Sequence, residues 1–333
     1  MSPTKAKARP TLKTIANLSG LAVPTVSRAL NDAPDIGEAT KKRVRSIALE
    51  IGYRPNRAGL RLRTGKTNVI ALVLSTQHDM MNHTARLITS IAGATRGTPY
   101  HMIVTPYFPD QDPMDPVRYV TETGSADGII LNQTEPRDPR VEYLMASNFP
   151  FATHGRTDWA DQHPYYDFHN GIFSATCVKQ LKARGRRRVL LVAPPTSQFY
   201  AIELITDATK AAEQHGVTMQ LLDTVTSDSA SFEIEATTRE ALRRYPDTDG
   251  VICASTNAAM AVVAGLEAEG HTLGQDIDVI AKEAMPFLTR FRKDILTIHE
   301  DVANAGEFLC RAIMQAIDHP DLPPMQYLEQ PKV

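Results

Sequence analysis

From Asn68 to about residue 318 the chain alternates two kinds of segment, and this constrains its fold more than any other feature. Apolar runs of strand length occur as NVIALVL (68–74), YHMIVTPY (100–107), DGIILNQ (127–133), PFATHGR (150–156), RRVLLVAPP (187–195), GVICAS (250–255) and IDVIAKE (277–283). Between and after them come amphipathic stretches of helix length: TARLITSIAGAT (84–95), HNGIFSATCVKQLKARG (169–185), AIELITDATKAAEQHG (201–216), AAMAVVAGLEAEG (258–270) and DVANAGEFLCRAIMQAI (301–317). Strands apolar on both sides, separated by one-sided helices, predict parallel sheets with helices on both faces. About 265 residues of this pattern exceed one comfortable lobe.

The first 66 residues have another texture. They hold 14 Lys/Arg and 4 Asp/Glu, which leaves 22 (36 − 14) and 34 (38 − 4) for the rest. A head of +10 on a body of −12 implies that the head meets a polyanion and the body does not. Thr11 suits a helix N-cap, with Leu12, Ile15 and Ala16 at helical spacing after it and Gly20 as a stop. A second helix is predicted over 23–30, with Pro24 in its first turn and Val26, Ala29 and Leu30 as its buried stripe. Thr25, Ser27 and Arg28 face away from that stripe. A third helix over 38–51 places Val44, Ile47, Ala48 and Ile51 on one side, and Gly52 ends it. Two short helices joined at a glycine, with a third across them, predict a helix-turn-helix unit whose second helix enters a major groove. Arg28 can donate twice to a guanine edge, while Thr25 and Ser27 suit phosphates. A three-helix bundle with a merely solvated basic face is the alternative that composition leaves open.

The stretch from Thr11 to Asn56, with TVSRAL followed by Asn31 and then GYRPN at 52–56, resembles the DNA-binding head of the lactose-repressor family. The resemblance continues more weakly through the body, at DGIIL, RGRRRVLLV, DIDVI and Gly306. It implies operator contacts from Thr11, Val23, Pro24, Thr25, Ser27, Arg28, Asn31, Tyr53 and Asn56. It also implies that NRAGLRLRTGK is a hinge whose Arg57, Gly59 and Leu62 meet the minor groove, Leu62 as a wedge. Two departures stand out. Ala22 occupies the position of a capping serine, which forfeits about 1 kcal/mol. Gly59 replaces an alanine, which raises the ordering cost of a hinge helix by about 1 kcal/mol.

The resemblance implies an α/β fold: an all-α helix-turn-helix head and a two-lobed core like periplasmic binding proteins, with parallel sheets. The expected divisions are a head over 1–53, a hinge over 54–66, a first lobe over 67–158 plus about 297–322, and a second over 159–296 plus about 323–333. A small effector, a sugar or sugar derivative, would lie between the lobes. Candidates at strand ends are Ser75, Asp79, Asn82, Asn132, His154 and Arg156 in the first lobe. In the second they are Asp167, His169, Tyr200, Ser255, Lys282 and Glu283. Lys282 and His169 suit an anionic or oxygen-rich ligand, Asp167 and Glu283 suit hydroxyls, and Lys282 with Glu283 as a plain ion pair is the competing reading.

The partners implied are a palindromic double-stranded operator, the effector and a second copy of the chain. No cofactor, metal or membrane contact is expected: the histidine spacings fit no familiar site, and no phosphate loop, G-x-S-x-G or H-E-x-x-H occurs. Cys177, Cys253 and Cys310 are widely spaced and odd in number, and MSPTKAKARP lacks an apolar signal core. A chain acting on the nucleoid in the cytoplasm is therefore expected. A solute-binding protein or a sugar-metabolising enzyme sharing the two-lobed fold is the rival.

Overall fold

The computed structural model describes residues 10–53, 65–76 and 81–332, the side chains of 81 and 82 excepted. They fall into two compact units, the chain dividing between Thr67 and Asn68. In the first, α1 (Leu12–Ser19), α2 (Val23–Leu30) and α3 (Glu38–Glu50) enclose Ile15, Ala16, Val26, Ala29, Val44 and Ala48. Thr11 caps α1: its hydroxyl accepts from the Thr14 N–H, and the Thr14 hydroxyl accepts from the Thr11 N–H. Gly20, at φ 69°, takes the left-handed turn that ends α1. Ala22 gives α2 no side-chain cap, as its identity predicts. Pro24 partly compensates, because it lacks one of the N–H groups a cap would serve.

In the second unit, β1 (Val69–Ser75), β2 (His101–Tyr107), β3 (Gly128–Asn132), β4 (Phe151–His154), β5 (Tyr165–Phe168) and β11 (Gln326–Glu329) form a parallel sheet ordered β11-β5-β4-β3-β1-β2. β1 shows why its run is apolar throughout. Ile70, Leu72 and Leu74 join one core with Leu87 of α4 (Met81–Ala94) and Leu309 of α12 (Val302–Asp318). Val69, Ala71 and Val73 join another, with Val117 of α5 (Met114–Thr123) and Leu144 of α6 (Pro139–Ala146). At Gly306 of α12 a Cβ would collide with Ser90 of α4, so this helix pair requires glycine there.

A second parallel sheet is ordered β10-β9-β8-β6-β7, from β6 (Arg188–Val192), β7 (Thr218–Leu221), β8 (Gly250–Cys253), β9 (Asp278–Glu283) and β10 (Leu296–His299). Cys177 and Leu181 of α7 (Asn170–Ala183) and Leu204 of α8 (Phe199–His215) cover one face. Ile234 and Leu242 of α9 (Ser231–Arg244) and Val262 of α10 (Thr256–Ala268) cover the other, near the short α11 (Leu288–Phe291). The three cysteines are buried free thiols. Among the described residues no helix is long and apolar enough to cross a membrane.

Two expected boundaries do not hold. β5 lies in the first sheet, so the chain crosses after Phe168 rather than near 158. β11 lies there too, pairing Gln326 with Tyr165 through Glu329 with Phe168, although 323–333 reads as second lobe. The physical reason is that β5 offers β11 a free edge, while β11 itself is half exposed and carries no apolar run to read. Lys332 then bridges to His299 at the end of β10. Where these crossings converge, the Glu329 carboxylate accepts from the Tyr166 hydroxyl at 2.7 Å and the Asp301 N–H at 3.0 Å.

Candidate functional site

On the head, α2 divides as its period requires. Val26 and Ala29 are buried, Thr25 and Ser27 half-buried, and Val23, Pro24 and Arg28 exposed. Arg28 pairs with Asp35 at 2.5 Å, with both side chains about half exposed (57% and 46%), so a nucleic acid could displace that bond at little cost. Asn31 ends α2, its amide donating to the Ser27 carbonyl. Tyr53 packs against the head's core, and burial raises its hydroxyl pKa. Among the head's basic residues, Lys41 is not a free attracting charge. It is buried, 2.8 Å from Glu38 and 3.1 Å from Asp32, while Arg45 also pairs with Asp32. Lys42 and Arg43 stay exposed. Asn56, Arg57, Gly59 and Leu62 lie outside the described residues.

In the body the strands of both lobes end at one cleft with about 890 Å³ of free space, its open mouth included. From the first lobe, Asn132 and Gln133 close β3, His154 and Gly155 close β4, Asp167 stands in β5, and His83 in the first turn of α4. From the second, Pro194 follows β6, Ser227 and Asp228 follow β7, Ala254 to Asn257 follow β8, Lys282 and Ala284 end β9, and Tyr200 opens α8. Asn170 opens α7, and Glu300 sits on the crossing after β10. Carboxyl ends of parallel strands are where open α/β sheets bind ligands.

Of the predicted residues, the cleft brings together Asn132, His154, Asp167, Tyr200, Ser255 and Lys282. Ser255 also caps α10, its hydroxyl accepting from the Ala258 N–H. Four others stand apart from the lining. Arg156 has its fork occupied, Nε 2.7 Å from Asp167 and Nη2 2.7 Å from Glu203, with Phe199 beneath it. His169 caps α7, its Nδ1 accepting from the Ile172 N–H, and its neighbour Asn170 faces the cleft instead. Glu283 is buried on the far side of β9 from Lys282, accepting from the Leu288 N–H and the Thr289 hydroxyl. Ser75 ends β1 half-buried and does not line the cleft. Asp79 and the Asn82 side chain lie outside the described residues. The sequence reading missed His83, Gln133, Asp228 and Glu300 as cleft groups.

The charges of the cleft are largely engaged with one another. Lys282 Nζ lies 2.9 Å from Glu300 and 3.0 Å from the Asn170 amide oxygen, and 5.8 Å from the centre of the Tyr200 ring. Burial opposes ionisation of Glu300, but Lys282, His83 and His154 outweigh it and hold the carboxyl well below the usual range. Burial, then His83, pushes His154 down to about 3, so its imidazole is neutral at physiological pH. Burial raises Asp167 to about 6, against the pull of Arg156. Burial also raises Asp228, which accepts from the Ser227 hydroxyl and, across the cleft, from the Gln133 amide at 3.0 Å. Gln133 makes that bond from φ 52°, a left-handed conformation costing a non-glycine about 1–3 kcal/mol. Asn132 Oδ1 and His154 Nε2 are buried with no hydrogen-bond partner, which suits them to an occupant's hydroxyls.

His83, His154 and Glu300 bring ligand-type atoms within 4.8 Å of one another, a spacing a metal ion could use. The carboxylate there already has a cation beside it, the Lys282 ammonium.

Residues 11–56 match the lacI family of bacterial regulatory proteins, and residues 178–333 match a periplasmic binding protein-like domain. The HTH-type transcriptional regulator AglR of Rhizobium meliloti is 28% identical over 322 residues, which is 93% of this chain and 90% of that one. The transcriptional regulator CelR in complex with cellobiose shares the fold at a TM-score of 0.70 and 21% identity, over 97% of this chain and 98% of that one. So does the lac repressor dimer bound to operator and the anti-inducer ONPF, at a TM-score of 0.84 and 17% identity, over 98% and 97%.

Proposed function

Since the chain belongs to the lacI family of bacterial regulatory proteins, we propose that it is a repressor that grips a palindromic operator as a homodimer and answers to a sugar or sugar derivative in its cleft. The observation that carries this reading is the pairing, in one chain, of a helix-turn-helix with an exposed arginine and a two-lobed cleft lined by polar groups. Arg28 is the base reader, Val23 and Pro24 meet thymine methyls or shape the approach, and Thr11, Thr25, Ser27, Asn31, Tyr53 and Asn56 hold the backbone. Arg57, Gly59 and Leu62 belong to a hinge segment that meets the minor groove. Asn132, His154, Asp167, Tyr200, Ser255 and Lys282 form the effector site, joined by Gln133, Asp228 and Glu300. Occupancy shifts the balance between two lobe arrangements, and a typical coupling of about 1–3 kcal/mol changes operator affinity about 5–150-fold.

The test is operator selection from random duplexes with the purified full-length chain, followed by titration of the selected site with and without sugars. A preferred palindrome whose affinity moves with one sugar is the expected result. Equal affinity for every duplex at all salt concentrations would remove the regulator reading. Turnover of the bound sugar would favour the enzyme.

A further inference from the structure

The effector reading leaves open whether the occupant is charged. Among the described lining residues Lys282 is the one lysine or arginine, and its position would suit a carboxylate or phosphate. That ammonium is held already, between Glu300 and the Asn170 amide oxygen and near the faces of Phe168 and Tyr200. Glu300 is 3% exposed and sits on the crossing between lobes, so it cannot swing out to water. The other strong cation nearby, Arg156, is shared by Asp167 and Glu203. Two cations therefore stand against four carboxylates, counting Asp228. An arriving anion meets carboxylates on several sides, and an arriving ammonium meets Lys282. An uncharged polyol meets two buried polar atoms in need of partners, Asn132 Oδ1 and His154 Nε2.

We propose that Glu300 determines the charge selectivity of the cleft. By serving as the fixed counter-ion of Lys282, it makes the cleft take uncharged polyhydroxyl molecules and refuse sugar acids and sugar phosphates. The proposal rests on the cleft being the effector site. It assigns to Glu300 a positioning role, exerted through Lys282 rather than by contact with the effector.

The full-length chain is titrated by calorimetry and thermal shift with glucose and cellobiose as neutral probes, and with glucuronate, glucose 6-phosphate and inorganic phosphate as anionic ones. The wild type should bind a neutral probe at least 10-fold more tightly than any anion. Glu300→Gln keeps the shape and frees the ammonium, so it should gain at least 10-fold in affinity for an anionic probe. The double variant Glu300→Gln/Lys282→Gln should lose that gain. A gain of anion binding is a readout that simple damage to the fold would not give.

A wild type that binds an anion more tightly than the neutral sugars overturns the proposal without recourse to any variant. If that anion also shifts operator affinity, the effector reading survives and the role of Glu300 alone falls. A zinc-dependent rise in wild-type Tm, lost in His83→Ala, overturns it as well, because Glu300 would then be a metal ligand. A Glu300→Gln variant that gains no affinity for any anionic probe overturns the assignment to Glu300, while the effector reading stands or falls on the operator titration with sugars.

Discussion

The outer face of α2 and the wall of the cleft both carry polar groups, but they hold them in opposite ways. On α2 the groups stand in solvent, and Arg28 leans on an exposed aspartate that water and salt can replace. In and behind the cleft the charges are bonded to one another, Lys282 to Glu300 on the wall and Asp167 through Arg156 to Glu203 behind it. A surface that meets a polyanion gains from loosely held cations, since each one that reaches a phosphate releases counter-ions condensed on the polyanion. A pocket that must tell one small molecule from another gains from fixed partners, because a mismatched ligand leaves buried groups unpaired. The same residue types therefore serve attraction in one place and discrimination in the other.

Replacing Ile15 by Ala is the harshest way to separate the two regions. Its loss from the small head core should cost about 2–5 kcal/mol and abolish operator binding. The thermal transition of the body and its sugar affinity should stay unchanged; a joint loss would mean that the units do not fold independently. Acid is the next lever and acts on the body. His154 takes a proton near 6.5 when unfolded and near 3 when native, so the unfolded chain binds more protons in that window. Stability should fall as pH drops from 6.5 toward 3, by a few kcal/mol at most. Urea midpoints measured across that range should show a flatter profile in His154→Gln.

Arg28→Ala should cost about 1–3 kcal/mol of operator binding and relax one base position, with sugar affinity intact. Unaltered sequence preference in a selection experiment would dismiss Arg28 as a reader. Asp228→Ala should weaken sugar binding by about 10-fold, in line with about 1.5 kcal/mol for a hydrogen bond to a charged group, and leave sugar-free operator affinity alone. The gentlest change is Ala22→Ser. It restores a cap to α2, but Pro24 leaves that cap fewer N–H groups to serve, so the head should gain less than about 1 kcal/mol in a melting experiment.

The head was legible because its contacts are local. Thr11 with Thr14, Gly20 after α1, and Val26 with Ala29 all lie within a few residues of one another. The lobes were legible where a strand is apolar on both sides, as in β1, and less so in β7, β10 and β11, which are short and partly exposed. α5, α6 and α9 went unassigned. Pro116 and Pro139 interrupt the first two, although each is acceptable in a first turn. In the cleft, strand ends located Lys282 and Asp167, but one residue of pleat sent Glu283 to the opposite face. Glu300 could not be read because it follows a four-residue strand and meets Lys282 and His83 only in the fold, the latter 217 positions away in the chain. Arg156 seemed free for the same reason, since Glu203 is 47 positions distant.

The carboxylate of Glu329 joins the Tyr166 hydroxyl of one sheet to the backbone at Asp301, where the chain has just come back from the other. Without that carboxylate a buried hydroxyl and a backbone N–H would both lose the oxygen they donate to. One side chain of the last strand thus fastens that strand and the start of the last helix to the same edge of the first sheet.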